Sequence, residues 1–460
     1  MGLLSRYSER AVELAPSNAR YLLNHAVSLA EHDRFPEAIT ILQRVLAINP
    51  DADDARTLLI FYRRMICDLP HEAEGTSNIV EMLSRHFHSG FSSRHPSPET
   101  SLSPIQALVF DLPPHLVTLP ARSRALALEK AAPPNPHPLP PPQRHLISYM
   151  FSDWDDSPVS DDMQAVFAAH RRHGVGVTLY DVSRTGGLTN SGARSDALPL
   201  RSLGASNAAR TLHNVSVLVD LNGFTHGHWA EMLAHRPAAV RIHLKGFPGT
   251  MGGFVDYIAG DRVATPVELV HLFREKIIVC PRSYHVNGHA FRDPHPPEPI
   301  ALDKLAFEQH GRFDKFPPNN FTFGAFHRPV KIDSRSFHLW LDVLRRAPGS
   351  LLWLLRFDAA AETHLKKAAA AAGVDTDRLF FTNPVPLEDH IRVKAAASLF
   401  LDSLSYNAHG TAADVLWGGT MVATRPGVTM PTRVASSLNI AHGASAFVAR
   451  TDQELLVRLL

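Results

Sequence analysis

The chain has 460 residues, 45% of them apolar, enough for roughly three domains of about 150 residues each, with sizeable cores. Lys+Arg (46) and Asp+Glu (45) nearly cancel. That balance argues against nucleic-acid or membrane-surface partners, which select a basic excess. Cys67 and Cys280 offer neither a disulfide framework nor zinc spacing. No apolar run nears the ~18 residues of a spanning helix, and Met1 to Glu9 lacks the apolar core of a signal peptide. The expected location is cytoplasm and/or nucleus.

The first segment, 1–66, repeats itself. Ala-Val-Glu-Leu-Ala-Pro ends at Pro16 and Val-Leu-Ala-Ile-Asn-Pro ends at Pro50, 34 residues later, which is the tetratricopeptide (TPR) period. Ala26, Phe35, Ala38, Leu42 and Val45 fall where a two-helix repeat packs, and Asn18 or Ser17 can cap a helix. A further helix pair is expected from Asp51, with Ala55, Leu58, Leu59 and Tyr62 at helical spacing. Residues 67–144 read as a helical and Pro-rich linker. Ser84 to Pro104 is expected as an exposed loop, and Pro133 to Pro142, with seven prolines in ten residues, as a polyproline spacer.

After Arg144 short apolar runs alternate with helical stretches, the pattern of parallel α/β sheets. The first lobe, 145–314, has expected strands at 145–151, 175–180, 215–221, 240–244 and 276–279. The second, 315–460, has them at 321–326, 351–356, 379–382, 399–401 and 421–424. Two such lobes enclose a cleft, and ligands bind beyond the carboxyl ends of the strands.

Within that cleft region, His409-Gly410-Thr411 precedes the helix 412–418 and offers a helix N-terminus as a diphosphate cradle. Lys331 follows a strand and can give a point charge to phosphate. His226 and His228, with no third ligand, do not make a metal site.

Five collinear stretches carry a family resemblance. They are Leu221-Asn-Gly-Phe-Thr with Arg236-Pro, Gly246-Phe-Pro-Gly-Thr250 and Asp256-Tyr-Ile; Phe326 to Asp333; Ser350 to Arg356; Asn407-Ala-His-Gly-Thr-Ala-Ala-Asp-Val-Leu-Trp417; and Arg425-Pro-Gly with Arg433-Val-Ala. Together they resemble the catalytic region of the O-GlcNAc transferase family, which includes Spindly-like relatives. The resemblance implies an α/β GT-B fold: two Rossmann-like lobes behind an N-terminal α-helical TPR segment. It implies a protein O-GlcNAc transferase that moves N-acetylglucosamine from UDP-GlcNAc to Ser/Thr of protein substrates with inversion. No metal or cofactor would be needed, no nucleic acid or membrane would take part, and the TPR segment would make protein contacts. The insertion some relatives carry between the lobes is not expected, nor are the family's closing helices, since the chain stops at Leu460.

Residue by residue, the resemblance gives nucleotide-sugar binding to Arg328, Lys331, Val385, Leu387, His390, Arg392, His409, Gly410, Thr411 and Asp414, with Asp414 on the ribose. Arg328 stands where the family commonly has glutamine, and Leu387 where it has lysine. The family's His-Pro-x-x-His segment reads Ser157-Pro-Val-Ser-Asp161 here, and a further family histidine is Ser216. Three accounts of catalysis follow: Asp161 is the base, or the leaving phosphate takes the proton beside Lys331, or the chain is a catalytically impaired TPR scaffold that keeps nucleotide binding. A Spindly-like protein O-fucosyltransferase using GDP-fucose is the alternative activity.

Overall fold

The computed structural model describes residues 3–92, 99–132, 146–154, 157–183, 198–300 and 321–459. The polyproline run, Asp155, Asp156 and the 314/315 lobe boundary lie outside the described residues.

Helices α1 (Leu3–Leu14), α2 (Ala19–Ala30), α3 (Phe35–Ile48) and α4 (Asp53–Met65) stack on one another. Asn18 caps α2, its side chain accepting from the Arg20 and Tyr21 amides at 3.1 and 3.2 Å. Leu22, Ala26, Ala38 and Leu42 are fully buried between the helices, as the repeat spacing requires. Helix α5 (Glu72–Ser92) runs through the first half of the stretch expected as a loop. Ile79, Met82 and Leu83 are buried in a core shared with the first lobe, and that burial outweighs the local Ser/His composition. Helix α6 (Leu119–Ala131) packs into the same core.

The first lobe is a seven-stranded parallel sheet of order β3-β2-β1-β4-β5-β6-β7. Its strands are β1 (Leu146–Phe151), β2 (Gly176–Asp181), β3 (Leu198–Pro199), β4 (Val217–Asp220), β5 (Val240–His243), β6 (Tyr257–Asp261) and β7 (Lys276–Cys280). β3 and β6 were not among the expected strands. Helix α7 (Pro158–Arg172) crosses from β1 to β2.

The second lobe is a five-stranded parallel sheet, β10-β9-β8-β11-β12. It is built from β8 (Thr322–Ala325), β9 (Leu351–Leu355), β10 (Leu379–Thr382), β11 (Leu399–Leu401) and β12 (Val422–Ala423). Its helices are α8 (Ser334–Arg346), α9 (Ala359–Ala371), α10 (Leu387–Ala395) and α11 (Gly410–Trp417), with α12 (Val434–His442) and α13 (Asp452–Arg458) after the last strand. Both strand orders reverse direction beside the first strand of the sheet, at β1/β4 and β8/β11. These two switch points place open crevices at the carboxyl ends of those strands.

Among the contacts that join the helical segment to the second lobe is one buried arginine. Arg64 Nε donates to Val330 O at 2.8 Å, one Nη to Ser405 Oγ at 2.9 Å and the other to Glu72 Oε1. The second oxygen of Glu72 accepts from the Ser334 amide at 2.6 Å, the start of α8. Val330 and Ser405 each precede a residue of the crevice described below. Arg64→Met is therefore expected to lower unfolding stability by about 2–3 kcal/mol, the worth of hydrogen bonds to a charged group; denaturant titration reads it.

Candidate active site

The β8/β11 switch point gathers the chemistry of the second lobe. From β8 the chain turns through a short helical turn, Pro329–Lys331. From β11 it enters a loop, 402–409, that is braced from inside. Asp402, fully buried, accepts from Thr424 Oγ1 (2.6 Å) and from the amides of Ala408 (2.7 Å) and Ser403 (2.9 Å). Burial still pushes its carboxyl up to about 7. The loop turns its Asn407 carbonyl to Lys331 Nζ at 3.0 Å, and the ammonium sits 4.2 Å above the Tyr406 ring. Burial draws the Lys331 pKa down to about 8, Asp402 opposing and Arg328 adding to the shift.

His409 stands at the N-cap of α11 and stacks on Tyr406, ring centroids 4.8 Å apart. Its Nε2 lies 3.1 Å from Pro431 O, so that nitrogen carries the hydrogen and Nδ1 the lone pair. Burial and then Lys331 press its pKa well below the ordinary imidazole value, so the ring is neutral. No side chain caps α11, which leaves its first-turn amides as free donors beside the Lys331 ammonium. A Cβ built on Gly410 meets nothing within 4 Å. Packing does not demand this glycine, so the open space over it is room for a ligand. Gly410→Ala should leave the unfolding midpoint in place yet weaken UDP binding about tenfold, close to one lost hydrogen bond to a charged group; calorimetry reads it.

Of the other residues assigned by resemblance, Asp414 lies one turn into α11 with both oxygens engaged. Oδ1 accepts from His289 Nε2 at 2.8 Å and Oδ2 from Lys394 Nζ. Burial alone would raise its pKa, but Lys394 and His289 hold it well below the usual carboxylate range. A carboxylate has about four lone-pair sites, so a ribose hydroxyl would join these partners. His390 Nδ1 accepts from Lys394 Nζ at 3.0 Å, and burial followed by Lys394 lowers its pKa. Thr411 stands in the first turn of α11, and Arg328 is exposed at the crevice edge, its guanidinium 6.0 Å from the Phe357 ring. Val385 packs at the margin of the second-lobe core, and Leu387 opens α10, its side chain outside the described residues. Arg392 is not gathered with Lys331: it pairs with Asp389 at 2.8 Å and donates to Glu298 O at 3.3 Å. Asp161, in the first turn of α7, pairs with Arg292 at 3.2 Å at a partly exposed position.

The first lobe closes the crevice with residues that sequence reasoning passed over. After β5 the backbone enters the left-handed region at Lys245 (φ 79°). The next position must be glycine, because a Cβ on Gly246 would lie 2.1 Å from Leu221 O. Lys245 Nζ is buried and donates to Asp162 Oδ2 and to Val286 O, the latter at 2.6 Å. Asp162 Oδ1 accepts from the Gly288 amide at 3.0 Å. This pair clamps the loop after β7, 284–289, to the first lobe, and the loop in turn reaches the second. Tyr284 is buried in the second-lobe core, His289 reaches Asp414, and the His285 ring meets His409 at 6.1 Å. Only the spacing of His285 and His289 after an apolar strand hints at this in the sequence.

Residues 123–312 and 308–457 match glycosyl transferase family 41. The chain belongs to that family. It is 32% identical over 362 residues to an Arabidopsis thaliana protein named probable UDP-N-acetylglucosamine–peptide N-acetylglucosaminyltransferase SEC, covering 75% of this chain and 36% of that protein. A Caenorhabditis elegans UDP-N-acetylglucosamine–peptide N-acetylglucosaminyltransferase is 26% identical over 422 residues, 68% of this chain and 36% of that protein. The chain thus spans little more than a third of the length of these curated relatives. In fold it is similar to a mutant Thermobaculum terrenum O-GlcNAc transferase, with a TM-score of 0.74 at 22% identity over 99% of this chain and 85% of the other. The family and the two parallel lobes agree with the GT-B fold expected from the motifs. Among the described residues, no helix is long and apolar enough to cross a membrane.

Proposed function

We propose that this family 41 chain transfers N-acetylglucosamine from UDP-GlcNAc to serine or threonine hydroxyls of proteins, with inversion and without a metal. The observation that carries this reading is the meeting of the Lys331 ammonium with the uncapped end of α11 over the open space at Gly410. Departure of UDP puts negative charge on the β-phosphate. A fixed ammonium and free helix-end amides are worth most where charge develops in a low-dielectric crevice. Those two positive features take the part a metal ion plays in other transferases. His390 and Asp414 stand beside this cradle and would hold the nucleoside, while Asp161, paired with Arg292 in the first turn of α7, would lie toward the acceptor. The stacked helices α1–α4 would receive protein partners.

Calorimetry with UDP and GDP, followed by transfer assays with UDP-GlcNAc on serine peptides in the presence of a chelator, tests the proposal. UDP is expected to bind and transfer to persist without metal. Preference for GDP and transfer of fucose would replace it with the Spindly-like activity. UDP binding with no transfer from any donor would leave a nucleotide-binding scaffold.

A further inference from the structure

Taking the transferase reading as its base, we infer that His285 receives the proton of the acceptor hydroxyl. The family histidines expected near α7 are Ser157 and Asp161 here, and neither supplies a buried base. Ser157 is the N-cap of α7, accepting from the Ser160 amide at 3.2 Å. Asp161 is engaged with Arg292.

His285 differs in kind. It is buried on the first-lobe side of the crevice, and its Nδ1 has no hydrogen-bond partner. A buried polar atom left unpaired is a standing cost to the fold and calls for an explanation such as a ligand or a reaction. The ring faces His409, the residue that begins the diphosphate-binding helix α11, at 6.1 Å. It is therefore placed at the seam where donor and acceptor must meet. Its loop is held on both sides: the Tyr284 amide donates to Asp261 Oδ2 at 3.0 Å before it, and after it Lys245 Nζ grips the carbonyl of Val286 and Asp162 grips Gly288.

The charged and titratable groups that face it are Lys245 from the turn after β5, His409 and Asp414 from the second lobe, and Tyr284 on its own loop, ring centroids 6.1 Å apart. Burial, then Lys245 and His409, press its pKa well below the ordinary imidazole value, with the backbone of His285 itself and then Asp414 opposing. The ring is neutral at physiological pH, as a proton acceptor must be.

The step balances without a further reagent. The acceptor Oγ forms a bond to the anomeric carbon as its proton passes to His285 Nδ1. The bond from that carbon to the β-phosphate oxygen breaks, and UDP leaves with the electron pair, stabilised by Lys331. The imidazolium then returns its proton to solvent as the crevice opens.

The test is the pH profile of kcat/KM for peptide glycosylation by the whole chain and by His285→Gln, with UDP affinity measured on both. Loss of a general base costs typically 10²–10⁴-fold. His285→Gln is therefore expected to lose about that much in kcat and to lose the acidic limb, while UDP affinity stays within about twofold. Added imidazole should restore part of the rate to His285→Ala. The inference is overturned if His285→Gln keeps its rate and acidic limb, if its UDP affinity falls as far as its rate, or if Asp161→Asn is the variant that loses the limb. No transfer by the parent chain would sink the transferase reading and this inference together; transfer by the parent with an unchanged His285→Gln sinks only the inference.

Discussion

Lys331→Met is expected to cut kcat/KM by about 10²–10³-fold, the usual cost of removing one preorganised group that stabilises a departing charge. The stability of the fold should not suffer. The ammonium is held among Asn407 O, the Tyr406 ring and the braced loop 402–409, and burial brings its pKa down to about 8. An unfolded lysine titrates near 10.4. Below pH 8 both states carry the proton, and the folded state bears a poorly solvated charge. Between about pH 8 and 10 the unfolded chain binds more protons, so this group's contribution to stability rises with pH. Activity runs the opposite way. Only the protonated lysine stabilises the diphosphate, so kcat/KM for the free enzyme should fall as pH climbs through about 8. Methionine keeps the apolar stem and removes both effects. The expected outcome is a variant at least as stable as the parent, with almost no transfer. Transfer within tenfold of the parent would remove Lys331 from the mechanism.

Asp162→Ala carries the largest expected effect on stability. Lys245 and Asp162 are both buried, and among the described residues alanine leaves the ammonium only the Val286 carbonyl as a hydrogen-bond partner. Breaking a buried pair on one side costs about 3–5 kcal/mol, whereas replacing both members by apolar groups is often neutral or better. Burial already lowers the Lys245 pKa despite Asp162, so the unpaired lysine should shed its proton more readily still. The denaturation midpoint of Asp162→Ala is expected to fall steeply at neutral pH and to recover partly in alkali. Asp162→Leu combined with Lys245→Leu should regain most of the stability. If the single and double variants unfold alike, the ion pair is not what holds this corner. Catalysis need not recover in the double variant, since the clamp on the 284–289 loop through Gly288 is lost with Asp162.

Much of the architecture was readable in advance because it is written in local pattern. Apolar runs such as Leu351–Leu355 and Leu399–Leu401 are buried on both faces of a parallel sheet, so they read as continuous hydrophobic strands. β3 has two residues, and β6 ends in Gly260-Asp261, too short or too mixed for such a signal. Helix α5 was mistaken for a loop beyond Ser84 because its support comes from a core assembled out of distant segments.

The half of the site on the second lobe was legible for a related reason. Phosphate recognition needs a lysine at one strand end and an uncapped helix start at the next. Lys331 and His409-Gly410-Thr411 announce themselves in short contiguous stretches. The composition and motifs determined the repeat, the two parallel lobes and the family, and they singled out the residues of the proposed diphosphate cradle. Tertiary structure alone decided the other wall: that Asp162 meets Lys245 across 83 residues, that Asp414 is held by His289 and Lys394, and that His285 faces His409. These side chains act through burial and mutual charge, and neither exists until the two sheets close on one crevice.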